Sequence, residues 1–174
     1  SSALGLELVD SGDRWVDPAP RDAIATKLQE LYGPRLADLG LDVRRAAYAT
    51  ESPERRLLRR SLASLVARHG RDPALRTRLA EAARTSLEDP AALDREFRAL
   101  AWIIGVQDLG DGFARSLVAA LLASDDSQLR QDAATAIGAA EDAKGSARAL
   151  GLVGQPGIRT MEVFALLGGQ FGSP

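Results

Sequence analysis

The stretch SPERRLLRRSLASLVARHGRDP, residues 52–73, contains the start signals of two consecutive helices. In each signal a residue that can cap a helix is followed directly by proline, once as Ser52–Pro53 and once as Asp72–Pro73. Ser and Asp accept hydrogen bonds from free backbone N–H groups, and proline suits the first helical position, which needs no N–H. Gly70 predicts where the first helix ends. The stretch therefore predicts a helical hairpin with a short turn.

The first of these helices has apolar residues at the spacing of one helical face. Its predicted buried stripe consists of Leu58, Leu62, Leu65 and Val66. Arg56 and Arg60 are four residues apart opposite this stripe, beside Ala63 and Ala67, which predicts a solvated outer face. The alternative is a patch that binds phosphate or peptide carboxylates, because arginine forks match oxyanions.

Similar helix pairs recur along the chain at a degenerate period of about 30–40 residues. The dipeptides that align across the repeats are Leu58–Arg59, Phe97–Arg98, Leu129–Arg130 and Ile158–Arg159. Such hairpins are stable only when they stack on their neighbours. Trp102 and Ile103 lie off the main stripe of their helix, so we expect that helix to be buried nearly all round. The predicted fold is all-α, a right-handed stack of antiparallel helical hairpins that forms a HEAT/armadillo-like superhelix.

The predicted helical-repeat domain spans residues 20–174, after an irregular lead-in at residues 1–19. Its first helix is expected over about 20–32, with a break or a second short turn at Pro34. The last segment opens a helix whose predicted apolar stripe is Met161, Phe164, Ala165 and Leu167. Helical arrays normally end in a polar capping unit. We therefore expect a domain truncated at its C-terminus, which pairs with a copy of itself through the exposed end.

Composition limits the classes of function. The chain has 174 residues, 45% of them apolar and 26% charged, with no cysteine and a net charge of −2. The mixture is typical of a globular domain, and the charge argues against a nucleic-acid partner. No apolar run reaches membrane-spanning length, so no membrane partner is expected. The sequence does not fix the compartment, and a cytoplasmic location is slightly favoured. The excess of Arg and Ala suggests a GC-rich bacterial source.

No catalytic residue is predicted. His69 is the one histidine, and a zinc site of ordinary type needs three or four His, Cys or carboxylate ligands. Arg98, Arg130 and Arg159 share one place in the aligned repeats. Their stems most simply cover an apolar layer. If that row faces a concave surface, it binds acidic groups.

Four segments resemble successive parts of one known domain. They are LYGPRLADLGLD (31–42), ERRLLRRSLASLVARHGRDP (54–73), LRQDAATAIGAAEDA (129–143) and GIRTMEVFALLGG (157–169). Their pattern is similar to the C-terminal helical domain of zinc aminopeptidases of the aminopeptidase N type, which include the puromycin-sensitive and endoplasmic-reticulum enzymes.

The resemblance implies a parent enzyme in which a separate thermolysin-like domain carries the HExxH zinc motif and the GxMEN motif. Neither motif occurs here, so no catalytic, zinc or amine-binding residue is assigned to this chain. The helical domain would contact the catalytic domain of the same chain, cover the active site and limit which peptides enter. Arg59, Arg98 and Arg130 are the predicted contacts to peptide substrates.

Two other classes of function remain open. One is a HEAT-like scaffold that binds a protein partner through its concave face. The other is a helical-repeat module for DNA binding or repair, which needs a basic concave surface and ranks last on charge.

Overall fold

The computed structural model of the chain describes residues 18–172, with side chains from residue 20 to residue 169. This part folds into eight α-helices and contains no strand. The helices are α1 (Pro18–Leu39), α2 (Pro53–Ser64), α3 (Pro73–Glu88), α4 (Arg95–Asp108), α5 (Gly110–Ala123), α6 (Ser127–Gly138), α7 (Ala143–Leu152) and α8 (Thr160–Gly172). The predicted all-α class is confirmed. The right-handed HEAT/armadillo-like superhelix stays a prediction. Residues 1–17, most of the predicted lead-in, lie outside the described residues.

Helix α1 runs through Pro34, so the predicted break at this residue is wrong. Proline removes one backbone hydrogen bond and displaces the carbonyl of Glu30. Pro34 and Glu30 are both exposed, so water can donate a hydrogen bond to the carbonyl group of Glu30. Leu28 and Leu36 are buried eight residues apart on the same face, one on each side of the proline. Packing of this face holds the two halves in one helix.

The helix starts follow the capping signals in the sequence. The side chains of Ser52 and Asp72 accept hydrogen bonds from the N–H groups of Arg55 and Leu75, as predicted. Three more helices begin after a capping aspartate, at Asp94, Asp126 and Asp142. At the end of α2 a π-helical turn, Leu65–His69, leads to Gly70. A methyl group on Gly70 would lie 2.7 Å from the carbonyl oxygen of Val66, so this turn requires glycine.

The first helices of successive hairpins pack side by side. Helix α4 packs against α6, and α6 packs against α8, while α3 and α5 flank α4. Large side chains that are fully buried in the core include those of Phe97, Trp102, Ile104, Leu79, Leu117 and Ile137. As expected, α4 is buried nearly all round: Trp102 is 1% exposed and its Nε1 donates a hydrogen bond of 2.8 Å to Oγ of Ser86. No helix among residues 18–172 combines the length and the apolar character that crossing a bilayer requires.

The predicted stripe of α2 is confirmed in part, since Leu62, Leu65 and Val66 are buried. Leu58 is 44% exposed, whereas Ala63 and Ala67, predicted on the outer face, are fully buried. The buried positions from α2 into the π-helical turn are Arg59, Leu62, Ala63, Leu65, Val66 and Ala67. These also follow the helical period, but they include a charge that periodicity alone assigns to solvent. The two alanines let neighbouring helices approach closely, and internal partners satisfy Arg59.

In α7, Ala143, Ala147 and Leu150 are exposed, and the buried residues are Gly145, Ala149 and Leu152. Helix α8 presents a face other than the one predicted. In α8, Met161 and Phe164 are 66% and 67% exposed, whereas Glu162 and Leu166 face inward. The reason in α8 is an ion pair: Arg130 of α6 binds Glu162 and turns the face that carries this acid towards the neighbouring helix.

Candidate functional site

Four helices carry an arginine at their fourth residue, directly after a capped start. These residues, which we call the arginine ladder, are Arg56 of α2, Arg76 of α3, Arg98 of α4 and Arg130 of α6. Each forms an ion pair with a carboxylate of a later helix; in the same order the partners are Glu96, Asp108, Asp132 and Glu162. Through three of these pairs the ladder links α2 to α4, α4 to α6 and α6 to α8.

Arg130 has the most complete set of partners. Its Nε and Nη2 donate to the two carboxylate oxygens of Glu162 at 2.6 and 2.8 Å. Nη1 donates to the carbonyl oxygens of Leu121 at 2.7 Å and Ser124 at 3.1 Å, and Nη2 also reaches that of Gly157 at 2.5 Å. All five N–H groups of a guanidinium are thereby used. Arg130 and Glu162 are 4% and 3% exposed, so the pair lies in the interior.

Hydrogen bonds from Arg130 lower the pKa of Glu162 below its ordinary value of 4.5. A lowered pKa in the folded state stabilises the fold above the unfolded pKa, and this contribution is lost as the pH falls through the folded pKa. We therefore expect the free energy of unfolding to decrease when the pH is lowered below about 4.5. The measurement is urea unfolding between pH 7 and pH 3 for the natural chain and for Glu162→Gln. The difference in unfolding free energy between the two proteins should become smaller at low pH. A difference that does not change with pH would contradict this assignment.

Arg98 is paired less completely. Its Nε donates to Asp132 Oδ2 at 2.7 Å, and Gln128 Nε2 donates to the other oxygen of that carboxylate at 2.8 Å. The Arg98 guanidinium carbon lies 5.5 Å from the centre of the Trp102 ring. Its Nη2 is buried and has no hydrogen-bond acceptor within residues 18–172. Arg98 is 4% exposed, so its side chain carries an unused donor in the interior.

Arg59 is the seventh residue of its helix, so its predicted alignment with Arg98 and Arg130 is wrong, and Arg56 takes that place. Arg59 is fully buried. It donates to the carbonyl oxygens of Gly40 and Leu39 at 2.8 and 3.0 Å, where α1 ends. Its guanidinium also binds both oxygens of Glu51 and lies 3.5 Å from the centre of the Tyr48 ring. These contacts fasten the end of α1 to α2.

A cavity of about 690 Å³ lies beside the N-terminal ends of α4 and α6. Four arginines line it, namely Arg45, Arg56, Arg95 and Arg98, together with the acids Asp94, Glu96 and Asp126. Arg98 thus borders an open space, whereas Arg59 and Arg130 are not among the lining residues. The structure therefore does not gather the three predicted peptide-binding arginines at one surface. Peptide binding by them stays a prediction.

The sequence analysis missed Arg76 and the ladder acids. A signal for the ladder is present in the sequence, since a capping Ser or Asp precedes each ladder arginine by four residues. These pairs are Ser52 and Arg56, Asp72 and Arg76, Asp94 and Arg98, and Asp126 and Arg130. The acids show no shared spacing, because each is placed by the packing of a different helix.

The family model described as "ERAP1-like C-terminal domain" matches residues 5–174. The chain belongs to this family. The resemblance to the C-terminal helical domain of aminopeptidase N-type enzymes is thereby confirmed, and the chain is a domain of an aminopeptidase-family protein. Searches among curated proteins and among solved structures found no match.

The described part of this ERAP1-like C-terminal domain does not fit a zinc ion. Between residues 18 and 172, no three His, Cys, Asp or Glu side chains are placed to hold a metal. The carboxylates at the cavity are already bound to backbone N–H groups or to arginine. No step of a zinc-dependent reaction is therefore assigned to these residues.

Proposed function

We propose that this domain acts within a zinc metallo-aminopeptidase, where it covers the active site and shapes the access of peptide substrates. Membership of the ERAP1-like C-terminal family carries the proposal. On this proposal the domain is not catalytic by itself. Its main partner is the catalytic domain of the same chain, which holds the zinc and releases N-terminal amino acids from peptides.

Kinetics of the parent enzyme test this function. In the parent, Arg59→Ala and Arg130→Ala should affect both substrates equally, because the donors of these arginines bind acceptors inside the domain. Arg98→Ala, at the open cavity, should raise KM for a nonapeptide about tenfold more than KM for a dipeptide. The reason is that a long substrate reaches the helical domain, and a lost charge-assisted hydrogen bond costs about 1.5–3 kcal/mol. Because these arginines also hold interior contacts, urea unfolding of each variant comes first. An equal effect of Arg98→Ala on both substrates, in a variant that remains folded, would remove the predicted peptide contact.

Arg68→Ala is the matched control for these variants. Arg68 is exposed in the π-helical turn after α2, and no ion pair involves it among the described residues. Its loss should leave both KM values unchanged. A parent without zinc-dependent release of N-terminal residues would instead favour the alternative function, a HEAT-like scaffold that binds another protein.

Self-association is a further part of the proposal. Met161 and Phe164 lie three residues apart on α8 and are both about two-thirds exposed. Neighbouring exposed apolar side chains of this kind favour contact with another apolar surface. Pairing of two copies through α8, a cytoplasmic location and a bacterial source stay predictions.

A further inference from the structure

We propose that the 690 Å³ cavity at the N-terminal ends of α4 and α6 binds a small molecule that carries a phosphate group. The proposal does not depend on peptidase activity of the parent, since binding can be measured on the 174-residue chain itself. It stands on the state of the lining charges: Arg98 and Arg56 each have a buried N–H group without an acceptor among the described residues, and Arg45 and Arg95 form no ion pair there.

The buried donor is the first observation. Arg98 lines the cavity, is 4% exposed, and uses Nε to bind Asp132. Its Nη2 has no acceptor among residues 18–172. A buried N–H group without an acceptor is unfavourable, and nearly all such groups in folded proteins have a partner. The Trp102 ring, 5.5 Å from the guanidinium carbon, attracts the charge but supplies no lone pair. A bound oxyanion would provide the missing acceptor.

Two more guanidinium groups stand at the same cavity. Arg45 and Arg95 line it, are exposed, and form no ion pair with another described side chain. Arg56 also lines the cavity, but Glu96 takes its Nη1 at 3.1 Å. The donors that remain for a ligand are therefore those of Arg45 and Arg95, the Nη2 group of Arg98 and the Nε group of Arg56, which is also buried without an acceptor among the described residues.

Within the described residues, the carboxylates that line the cavity form no ion pair with Arg45, Arg95 or Arg98. Asp94 caps α4 by accepting from the N–H of Glu96 at 2.9 Å, and its second oxygen accepts from the N–H of Ala46 at 2.8 Å. One oxygen of Asp126 accepts from the N–H groups of Gln128 and Leu129 at the start of α6.

The pKa of Asp126 is affected by its backbone hydrogen bonds and by the arginines at the cavity. Its pKa is lowered, first by the hydrogen bonds from the backbone N–H groups of Leu129 and Gln128, and further by the positive charges of Arg98 and Arg95. Asp126 thus stays ionised as a capping residue, close enough to Arg98 and Arg95 to be affected by their charges.

The number of donors selects phosphate. A carboxylate offers two oxygens and one negative charge, whereas a phosphate monoester offers three terminal oxygens and up to two charges. Donors of four guanidinium groups, from the loop before α2, from α2 and from α4, match the second set better. The cavity is within the range of small-molecule sites, about 300–1,000 Å³, so it has room for an organic group beyond the phosphate.

The test is a titration of the 15N-labelled chain with inorganic phosphate, glycerol 3-phosphate and acetate at constant ionic strength, followed by NMR. We expect saturable binding of both phosphates, with glycerol 3-phosphate at least as tight and acetate weaker. The Nε–Hε signal of Arg98 should shift with the same Kd. Tighter binding of acetate would overturn the assignment in favour of a carboxylate ligand. Weaker binding of glycerol 3-phosphate than of inorganic phosphate would overturn the assignment of an organic ligand.

The variant Arg45→Gln/Arg95→Gln isolates the site, because both side chains are exposed and lack ion pairs in the described part of the chain. It should remain folded by circular dichroism and bind glycerol 3-phosphate about tenfold more weakly or worse. Arg68→Gln, an exposed arginine twelve residues beyond Arg56, should bind as the natural chain does. Equal affinity in the double variant and in Arg68→Gln would overturn the proposal, as would an absence of saturation.

Discussion

Replacing Arg130 by alanine is expected to lower the free energy of unfolding by about 3–5 kcal/mol, because it leaves the carboxylate of Glu162 buried without its cation. The arginine also serves the carbonyl groups of Leu121, Ser124 and Gly157, which lose their donor at the same time. Urea unfolding at pH 7, followed by circular dichroism, measures the change.

Arg159→Ala is the matched control, because Arg159 approaches the same carboxylate. Its Nε lies 3.9 Å from Glu162, and its side chain is 48% exposed. Exposed pairs of this kind contribute about 1 kcal/mol or less. If Arg130→Ala and Arg159→Ala were equally stable, the buried pair of Arg130 and Glu162 would not hold α6 and α8 together. The arginine ladder would then not stabilise the packing of these helices.

The second large effect is expected at Gly169, where α8 crosses α6. A Cβ atom there would collide with the backbone carbonyl of Gly138 and lie 2.8 Å from the backbone nitrogen of Ala139. Backbone atoms of a packed helix cannot move aside as a flexible side chain can. Gly169→Ala should therefore lower the free energy of unfolding by about 3 kcal/mol, measured by urea unfolding.

The adjacent Gly168 provides the control. A Cβ atom at this position would meet nothing within 4 Å. Since alanine favours a helix over glycine by about 1 kcal/mol, Gly168→Ala should leave the chain equally stable or stabilise it. A Gly169→Ala variant as stable as Gly168→Ala would mean that the two helices are farther apart than described.

The starts of the helices were predictable from the sequence, because local chemistry decides them. Ser52–Pro53 and Asp72–Pro73 satisfy free N–H groups within a few residues, whatever the rest of the chain does. The course of α1 through Pro34 was not predictable in this way. It depends on Leu36, which is buried against distant parts of the chain.

The faces of α2 and α8 were predicted only in part, for a single reason. Hydrophobic periodicity assigns charged residues to solvent, but Arg59 and Glu162 are buried with partners more than one helical turn away in sequence. With these two residues facing inward, Leu58 and Phe164 are 44% and 67% exposed. The candidate site was missed in part for the same reason, since sequence reasoning could name Arg98 but not the cavity that it borders.

The arginine ladder has a consequence for how the domain opens. Asp132 of α6 binds Arg98 of α4, and Arg130 of α6 binds Glu162 of α8. If α6 separated from its neighbours, both buried arginines would lose their carboxylate partners. Deuterium should therefore replace the amide protons of α4, α6 and α8 in one concerted event, rather than helix by helix from the ends. Stacked helical repeats often unfold one after another. In this chain the buried ion pairs would make α4, α6 and α8 unfold as a single unit.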